Sequence, residues 1–372
     1  MDGQPVPSLV WGAADSPELK CHVLKPSVEE TVMLRGGIVG FGRMGLTHFS
    51  ILNTHPNVDF VAVCDSSSFV LKNAAQYMGI ETFTDCERMF RTMGLDFVVV
   101  ATPTAMHADV AECAIANNAH VFVEKPLTLH PEQGRRLLQL LQGKVLVHQV
   151  GYVNRFGDVF TRVKQLLDSG AVGQVLTFRT EMNGPTVLHG SKKSWRSKKK
   201  EGGGCLYDFA SHGVDLVNYF FGPPDEVVGT VFGSIHSDGV EDTVSTTFVY
   251  KGGMRGNLLA NWSDPSYRKP SCQFEALGRM GKIIADLHSY KVFFSYAPNL
   301  DGFTQGWNQR SYTVFATPVR FFVRGFEFTR QLDYFIDCIV EGKPCRISSF
   351  EDGFTTDTML EKIRTDGESR GH

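Results

Sequence analysis

Three closely spaced glycines constrain the fold of this chain more than any other feature. An apolar segment, residues 32–39, is followed directly by Gly40, Gly42 and Gly45, and then by residues with helical periodicity. A strand that turns into a helix beside a pyrophosphate needs positions without a Cβ atom, and the free N–H groups at the helix start bind the phosphates. The pattern predicts such a βα unit. Its expected contact residues are Gly40, Phe41, Gly42, Arg43, Met44 and Gly45.

An acidic residue follows at the distance that a dinucleotide site requires. Asp65 ends the next apolar segment, residues 59–64, and lies twenty positions after Gly45. At this point a carboxylate accepts hydrogen bonds from a ribose and repels a 2′-phosphate. Serines follow at positions 66–68, so there is no arginine that could bind the 2′-phosphate of NADP. We therefore expect NAD as the cofactor, with NADP less favoured. The alternative is a glycine-rich structural turn with an unrelated aspartate.

Composition and charge exclude several classes of partner. The net charge of −3 gives no reason to expect nucleic acid or an anionic membrane, and no apolar run approaches the length of a membrane span. The first residues lack the basic start and apolar core of a secretory signal. Eight cysteines are scattered without a C-x-x-C pair, which favours a reducing compartment and predicts no metal site. We expect a cytoplasmic protein with a small-molecule partner.

The order of apolar segments predicts two domains after an N-terminal extension. Residues 1–31 show no clear period and form either a loose tail or an arm, anchored by Trp11, that reaches over a neighbouring subunit. Residues 32–154 alternate short apolar runs with helical patterns, which indicates a doubly wound parallel sheet of the Rossmann type. Residues 155–372 are richer in period-two segments and indicate an α+β domain with a large open, mainly antiparallel sheet. The expected strands of that sheet are 175–182, 226–235, 243–250, 254–262, 272–277, 282–286 and 291–296.

A lysine ends one of the strands of the first domain. Lys125 follows the apolar segment 120–124 and precedes Pro126. Ligands of open parallel sheets bind outside the carboxyl ends of the strands, so this position favours a catalytic lysine near the nicotinamide. An X-Pro bond is also one that adopts the cis form at modest cost. The alternative is a solvated lysine at a strand end.

A second candidate motif lies in the glycine-rich stretch 202–215. Asp208 and His212 are four residues apart, so on the predicted helix 205–220 they share one face. Histidine is the usual proton shuttle at neutral pH, and a nearby carboxylate orients it and raises its pKa. The alternative is a buried helical histidine with a local acidic partner.

Taken together, these motifs resemble the glucose–fructose oxidoreductase, inositol dehydrogenase and rhizopine-catabolism (Gfo/Idh/MocA) family. The resemblance runs from about residue 34 to about residue 360. The motifs that carry it are Gly40-x-Gly42-x-x-Gly45, Asp65, Thr102-Pro103 with His107, Glu124-Lys125-Pro126, Trp195-Arg196 before the stretch 202–215, and Phe350-Glu351-Asp352-Gly353.

The resemblance implies a catalytic trio and further cofactor contacts. His212 would take the proton of a hydroxyl group, Lys125 would stabilise the developing alkoxide, and Asp208 would orient its partners. It also implies subunit contacts through the outer face of the second sheet, hence a homodimer or homotetramer. The further cofactor-binding residues that it implies are Thr102, Pro103, His107, Glu124 and Lys125.

The substrate side is less constrained by the sequence. The basic segment 192–200 is either a solvated loop or a loop that folds over an anionic substrate. The residues that position alone assigns to the substrate are Asn154, Arg155, His189, Trp195, Arg196 and Tyr207.

The leading interpretation is an NAD-dependent oxidoreductase. It would interconvert a secondary hydroxyl and a ketone on a sugar, a sugar derivative (nucleotide-activated and acidic ones included) or a cyclitol. One alternative is a sensor of the same fold that binds NAD without turnover. Another is a reductase of an imine or a conjugated double bond.

Overall fold

The computed structural model describes residues 32–189 and 194–370. The predictions for residues 1–31 with Trp11, for Lys192 and Lys193, and for the side chain of His189 therefore lie outside the described part of the chain. Among the described residues, no helix is both long and apolar enough to cross a membrane.

A six-stranded parallel sheet comes first, in the order β3-β2-β1-β4-β5-β6. The central strands are mostly apolar because helices cover both faces, and all four residues of β4 are buried. The strand order reverses between β1 and β4, which opens a crevice at their carboxyl ends. The strands are β1 Leu34–Val39, β2 Val58–Cys64, β3 Glu81–Phe83, β4 Phe97–Val100, β5 His120–Val123 and β6 His148–Val150.

Five helices connect these strands and divide between the two faces of the sheet. The helices are α1 Arg43–Leu52, α2 Ser68–Met78, α3 Cys86–Met93, α4 His107–Ala116 and α5 Pro131–Leu141. Buried residues of α1 and α2 pack on one face. Those of α3, α4 and α5 pack on the other. The predicted doubly wound parallel sheet is confirmed.

An eight-stranded sheet forms the second layer, in the order β14-β13-β12-β11-β7-β10-β9-β8. Its neighbouring strands are antiparallel except for the pair β7 and β10, which is parallel. The predicted large, mainly antiparallel sheet is thus confirmed. The strands are β7 Val175–Asn183, β8 Glu226–Gly233, β9 Thr243–Val249, β10 Arg255–Asn261, β11 Ser271–Gly278, β12 Gly281–Ala285, β13 Ser289–Phe294 and β14 Gly306–Ser311.

Helices cover one face of the second sheet and leave the other open. The helices of this half are α6 Asp158–Asp168, α7 Ser211–Phe221, α8 Tyr312–Phe315, α9 Phe326–Val340 and α10 Phe350–Ser369. Buried residues of α6, α7 and α10 pack against the sheet. The open face exposes Leu259, Leu277 and Ile284, with Trp307 at 56% exposure.

Helix α9 does not stay with the sheet that precedes it. Its residues Leu332, Phe335 and Ile336 are fully buried in the same core cluster as Phe97 and Phe122 of the first sheet. The rings of Phe97 and Phe335 meet edge to face, with 6.0 Å between centroids. The chain therefore returns to the first sheet before it ends in α10.

Candidate active site

A cleft of about 420 Å³ lies at the carboxyl edge of the parallel sheet. It is bounded on one side by the turn after β1 and on the other by the segment that precedes α7. The predicted site residues that line it are Gly40, Gly42, Arg43, Met44, Asp65, Thr102, Pro103, Glu124, Lys125, Trp195, Arg196 and Asp208.

The glycine turn has the shape that a phosphate site requires. A Cβ atom on Gly40 would lie 2.7 Å from the backbone of Ala101, and one on Gly45 would lie 2.1 Å from the carbonyl oxygen of Gly40. Gly42 has nothing within 4 Å of that position, and no side chain caps the first turn of α1. The free N–H groups at the start of α1 and the open space at Gly42 fit the pyrophosphate of a dinucleotide.

Asp65 is held at the end of β2 by two backbone groups. Its Oδ2 accepts a hydrogen bond of 2.7 Å from the N–H of Phe41, and its Oδ1 accepts one of 2.8 Å from the N–H of Ser67. Each carboxylate oxygen accepts more than one bond, so both can still accept from ribose hydroxyls. The side chain of Phe41 turns away into the core, where it meets the ring of Phe49.

His107 is close to the cleft but does not line it. The side chain is buried, and its two ring nitrogens lie 2.8 Å from the carbonyl oxygen of Pro126 and 3.0 Å from that of Thr102. Burial lowers the pKa of His107, although the two carbonyl groups oppose this effect. The histidine thus lies between the segment after β4 and the segment after β5, and in its neutral form it donates to one of the two carbonyl groups.

Lys125 and Asp208 meet across the cleft from opposite halves of the chain. The Nζ of Lys125 donates to Oδ1 of Asp208 at 2.9 Å and to its carbonyl oxygen at 2.7 Å. The Nε of Arg196 donates to Oδ2 of the same carboxylate at 2.8 Å. Burial alone would raise the pKa of Asp208, but the two cations outweigh it and hold that pKa well below its usual range. The Lys125–Pro126 peptide bond is cis.

The predicted helix 205–220 is present, but its first turns are not regular α-helix. Residues Leu206–Ala210 form a π-helical turn, and the α-helix α7 begins at Ser211. The wider turn shifts the angle between positions 208 and 212, which remain about one turn apart on the helix. The carboxylate of Asp208 is paired with Lys125 and Arg196.

His212 lies in the electrostatic field of this ion pair without lining the cleft. Its Nδ1 is buried and has no hydrogen-bond partner among the described residues, and its ring meets that of Tyr152 edge to face. Burial and then the charge of Lys125 lower the pKa of His212 to about 3, against a smaller opposing effect of Asp208. Asp208 raises this pKa, as expected of a nearby carboxylate, but burial and Lys125 outweigh it. At neutral pH the imidazole is uncharged.

Three of the residues assigned to the substrate by position lie elsewhere. Arg155 is buried and binds Asp215 through Nε and Nη2, at distances of 2.8 to 3.1 Å. Its Nη1 lies 2.9 Å from Asp352. Tyr207 belongs to the core under the second sheet, and Asn154 is buried beside Arg155. None of the three lines the cleft, whereas Trp195 and Arg196 do.

The basic side chains in the described part of the segment have different partners. Lys198 pairs with Glu201 at 2.8 Å, and Lys199 pairs with Glu368 at 3.2 Å, so these two charges are already matched. The guanidinium of Arg196 stacks on the ring of Trp195. Within residues 32–189 and 194–370, no group of three or more His, Cys, Asp or Glu side chains could hold a metal ion.

One close pair in the site was not anticipated from the sequence. The Nε2 of His48, on α1, lies 2.6 Å from Oε1 of Glu124. The only signal was a histidine three residues after Gly45, a position that also suits an ordinary core residue of a helix.

Two family models match the chain. The model for the oxidoreductase family with an NAD-binding Rossmann fold (GFO_IDH_MocA) matches residues 34–152. The model for the GFO/IDH/MocA C-terminal domain matches residues 160–284. Together these matches span about two thirds of the chain.

Individual proteins show the same similarity. The chain is 27% identical over 239 residues to scyllo-inositol 2-dehydrogenase (NAD(+)) of Bacillus subtilis, covering 62% of this chain and 68% of that protein. It is 26% identical over 285 residues to levoglucosan dehydrogenase of Pseudarthrobacter phenanthrenivorans, covering 68% and 73%. A solved structure of levoglucosan dehydrogenase in complex with NADH and levoglucosan has the same fold, with a TM-score of 0.80 at 22% identity over 90% of this chain and 97% of that one. The chain therefore belongs to the Gfo/Idh/MocA family of oxidoreductases, and its parallel-sheet domain is the family's NAD-binding Rossmann domain.

Proposed function

We propose that the protein is an NAD-dependent dehydrogenase that interconverts a secondary hydroxyl and a ketone on a sugar, a sugar derivative or a cyclitol. The observation that carries the proposal is the Lys125–Asp208 pair, at 2.9 Å, on the same cleft as the glycine turn and Asp65. A fixed cation at that place suits an oxygen that becomes negatively charged during the reaction. The similarity to scyllo-inositol and levoglucosan dehydrogenases supports the substrate class.

The residues of this chain would divide the chemistry as follows. Bound NAD supplies the hydride acceptor. The Nζ of Lys125 stabilises the developing alkoxide, and Asp208, which Arg196 also holds, fixes that Nζ in place. His212, which is uncharged at neutral pH, would accept the hydroxyl proton; burial and the charge of Lys125 lower its pKa to about 3 and so weaken it as a base until that charge is matched by the developing alkoxide.

We propose that the parts of the chain that form the two sheets have different functions. Residues 32–154 would bind NAD, and residues 155–372 would bind the substrate and form the subunit contacts. The open face of the second sheet exposes Leu259, Leu277, Ile284 and Trp307, an apolar surface of the kind found in homodimer and homotetramer interfaces.

A substrate panel tests the proposed reaction. The purified protein with NAD is mixed with inositols, anhydrosugars, free sugars, sugar acids or nucleotide-sugars, and the absorbance of reduced nicotinamide is followed. We expect turnover with one of these classes and a ketone as the product. Tight NAD binding with no turnover across the panel would instead favour an NAD-binding sensor. A product that lacks the new ketone would favour a reductase of an imine or a double bond.

Cofactor preference gives a second test. Asp65→Asn keeps the size of the side chain and one of its two acceptor oxygens but removes its charge, so the repulsion of a 2′-phosphate is lost. We expect the ratio of kcat/KM with NADP to that with NAD to rise about tenfold. Asp59→Asn, on the exposed side of the same strand, serves as the control and should leave the ratio unchanged. An unchanged ratio in Asp65→Asn would remove Asp65 from cofactor selection.

A further inference from the structure

His48 lies at a core position where an apolar residue would avoid the free-energy cost of burying a polar ring. Its side chain is fully buried on α1 and meets the ring of Phe122 edge to face, at 5.2 Å between centroids. Its Nδ1 is buried and has no partner among the described residues. A buried polar atom without a partner costs free energy, so this imidazole is not explained by packing alone. Its other ring nitrogen makes the short contact of 2.6 Å with Glu124.

Glu124 lies between His48 and the cleft. Its Oε2 accepts a hydrogen bond of 3.2 Å from the N–H of Lys125, and a Cβ atom on Gly151 would lie only 3.3 Å from its carboxyl group. The carboxyl group is therefore enclosed by His48, Gly151 and the backbone of Lys125. It nevertheless lines the cleft, and its side chain is 12% exposed. The remaining open direction is the cleft itself.

The charges around Glu124 keep it ionised. Burial alone would raise its pKa, but the hydrogen bond and charge of His48, followed by the charge of Lys125, outweigh burial and lower it. The other titratable groups whose charges interact with it are His107 on α4, His212 on α7 and Arg324 before α9. Burial lowers the pKa of both histidines, and the groups that lower the pKa of Glu124 are His48 and Lys125. His48 is thus the principal group that supports the carboxylate from the core side.

We infer that His48 is a positioning residue for the cofactor, which holds the Glu124 carboxylate at the floor of the cleft beside Lys125. A carboxylate fixed there accepts hydrogen bonds from the hydroxyls of a bound nucleotide. This inference rests on the proposed NAD site and adds a residue that does not line the cleft. It makes cofactor affinity depend on a histidine in the core behind the site.

Two substitutions at one position separate positioning from packing. His48→Gln keeps a side-chain N–H that can donate to Glu124, whereas His48→Leu removes the donor and fills the space. NAD affinity is measured directly by titrating the fluorescence of the protein, without any sugar substrate. We expect His48→Leu to weaken NAD binding by about tenfold or more and His48→Gln to stay within about threefold of the original protein. His120→Gln, at the other end of the strand that leads to Glu124, is the control and should bind NAD normally.

The pH dependence of NAD binding gives a readout that packing would not change. Without His48 the pKa of Glu124 rises, because the hydrogen bond and charge that lowered it are gone. The loss of affinity on acidification should therefore begin at a higher pH in His48→Leu than in His48→Gln. If both variants bind like the original protein, or if both lose affinity equally with the same pH profile, His48 does not position Glu124. If the original protein binds no NAD, the proposed function fails together with the inference.

Discussion

Replacing Lys125 with methionine is expected to lower kcat by about a thousandfold while NAD affinity changes by less than about threefold. The Nζ of Lys125 is held between the carboxylate and the carbonyl oxygen of Asp208, so its charge is fixed before a substrate enters. A charge that is fixed in advance stabilises a developing alkoxide without reorganisation, and methionine has nearly the same length without that charge. Initial rates with the substrate found by the panel, and a fluorescence titration with NAD, measure the two effects.

The fold should tolerate this change. Asp208 would lose one cation but would keep the hydrogen bond and ion pair with Arg196, at 2.8 Å, so its carboxylate is not left without a partner. The loss of Lys125 also removes a positive charge that lowers the pKa of His212. The imidazole would still be uncharged at neutral pH, because burial is the larger cause of the lowering.

A matched lysine elsewhere serves as the control. Lys164 on α6 also forms a lysine–aspartate pair, with Asp168 one turn further on, and lies outside the cleft. Lys164→Met should keep full kcat. If Lys125→Met also keeps kcat within about threefold of the original protein, Lys125 does not stabilise charge in the reaction. If its NAD affinity falls as far as its rate, Lys125 serves to hold the cofactor.

The parallel-sheet domain could be predicted from the sequence because the patterns that mark its strands and helices are local. Each strand is a short apolar run followed within a few residues by a helical pattern, and buried parallel strands need no pairing partner to be recognised. The glycine spacing and the aspartate twenty positions later are also separations along the chain. Helix α5, Pro131–Leu141, has proline at its first position and Gly143 just past its end, which are ordinary start and stop signals along the chain.

Elements that depend on distant contacts were missed or shortened. Strand β14, Gly306–Ser311, is polar, and its deeply buried residue is Asn308, so no apolar alternation marks it. The last helix continues to Ser369, although the apolar residues that mark it in the sequence stop at Ile363. Its last turns carry charged pairs such as Arg364 with Glu368, which support a helix through side-chain contacts.

The candidate site also combines features that local patterns predict with contacts between distant residues that they do not predict. Lys125 and Asp208 are 83 residues apart, and the resemblance to a family, not any spacing rule, suggested that they act together. The pairing of Arg196 with Asp208 and of His48 with Glu124 follows from how the two halves of the chain and the first helix pack. Composition and periodicity carry no information about such contacts. This is also why Arg155 was assigned to the substrate when the structure places it in a buried ion pair.

Replacing Arg155 with methionine is expected to lower the free energy of unfolding by about 3 to 5 kcal/mol. The guanidinium is buried and binds Asp215, which is 1% exposed, through two nitrogens, and it also pairs with Asp352 near the start of α10. Burial alone would lower the pKa of Arg155, but the two carboxylates outweigh it and raise that pKa. Without the arginine, the carboxylate of Asp215 is left in the core with no cation. Urea unfolding followed by intrinsic fluorescence measures the loss.

A double variant tests whether the unpaired charge of Asp215 causes the loss of stability. The double variant Arg155→Met with Asp215→Asn removes both charges, so it should recover most of the stability that Arg155→Met alone loses. Arg162→Met, which removes an arginine that contacts Gln165 along α6, is the control and should change the free energy of unfolding by less than about 0.5 kcal/mol. Arg155 would be reassigned to the substrate if its replacement left stability unchanged but raised KM. A buried bidentate pair 60 residues apart in sequence predicts the opposite, because it joins the segment after β6 to α7 and, through Asp352, to α10.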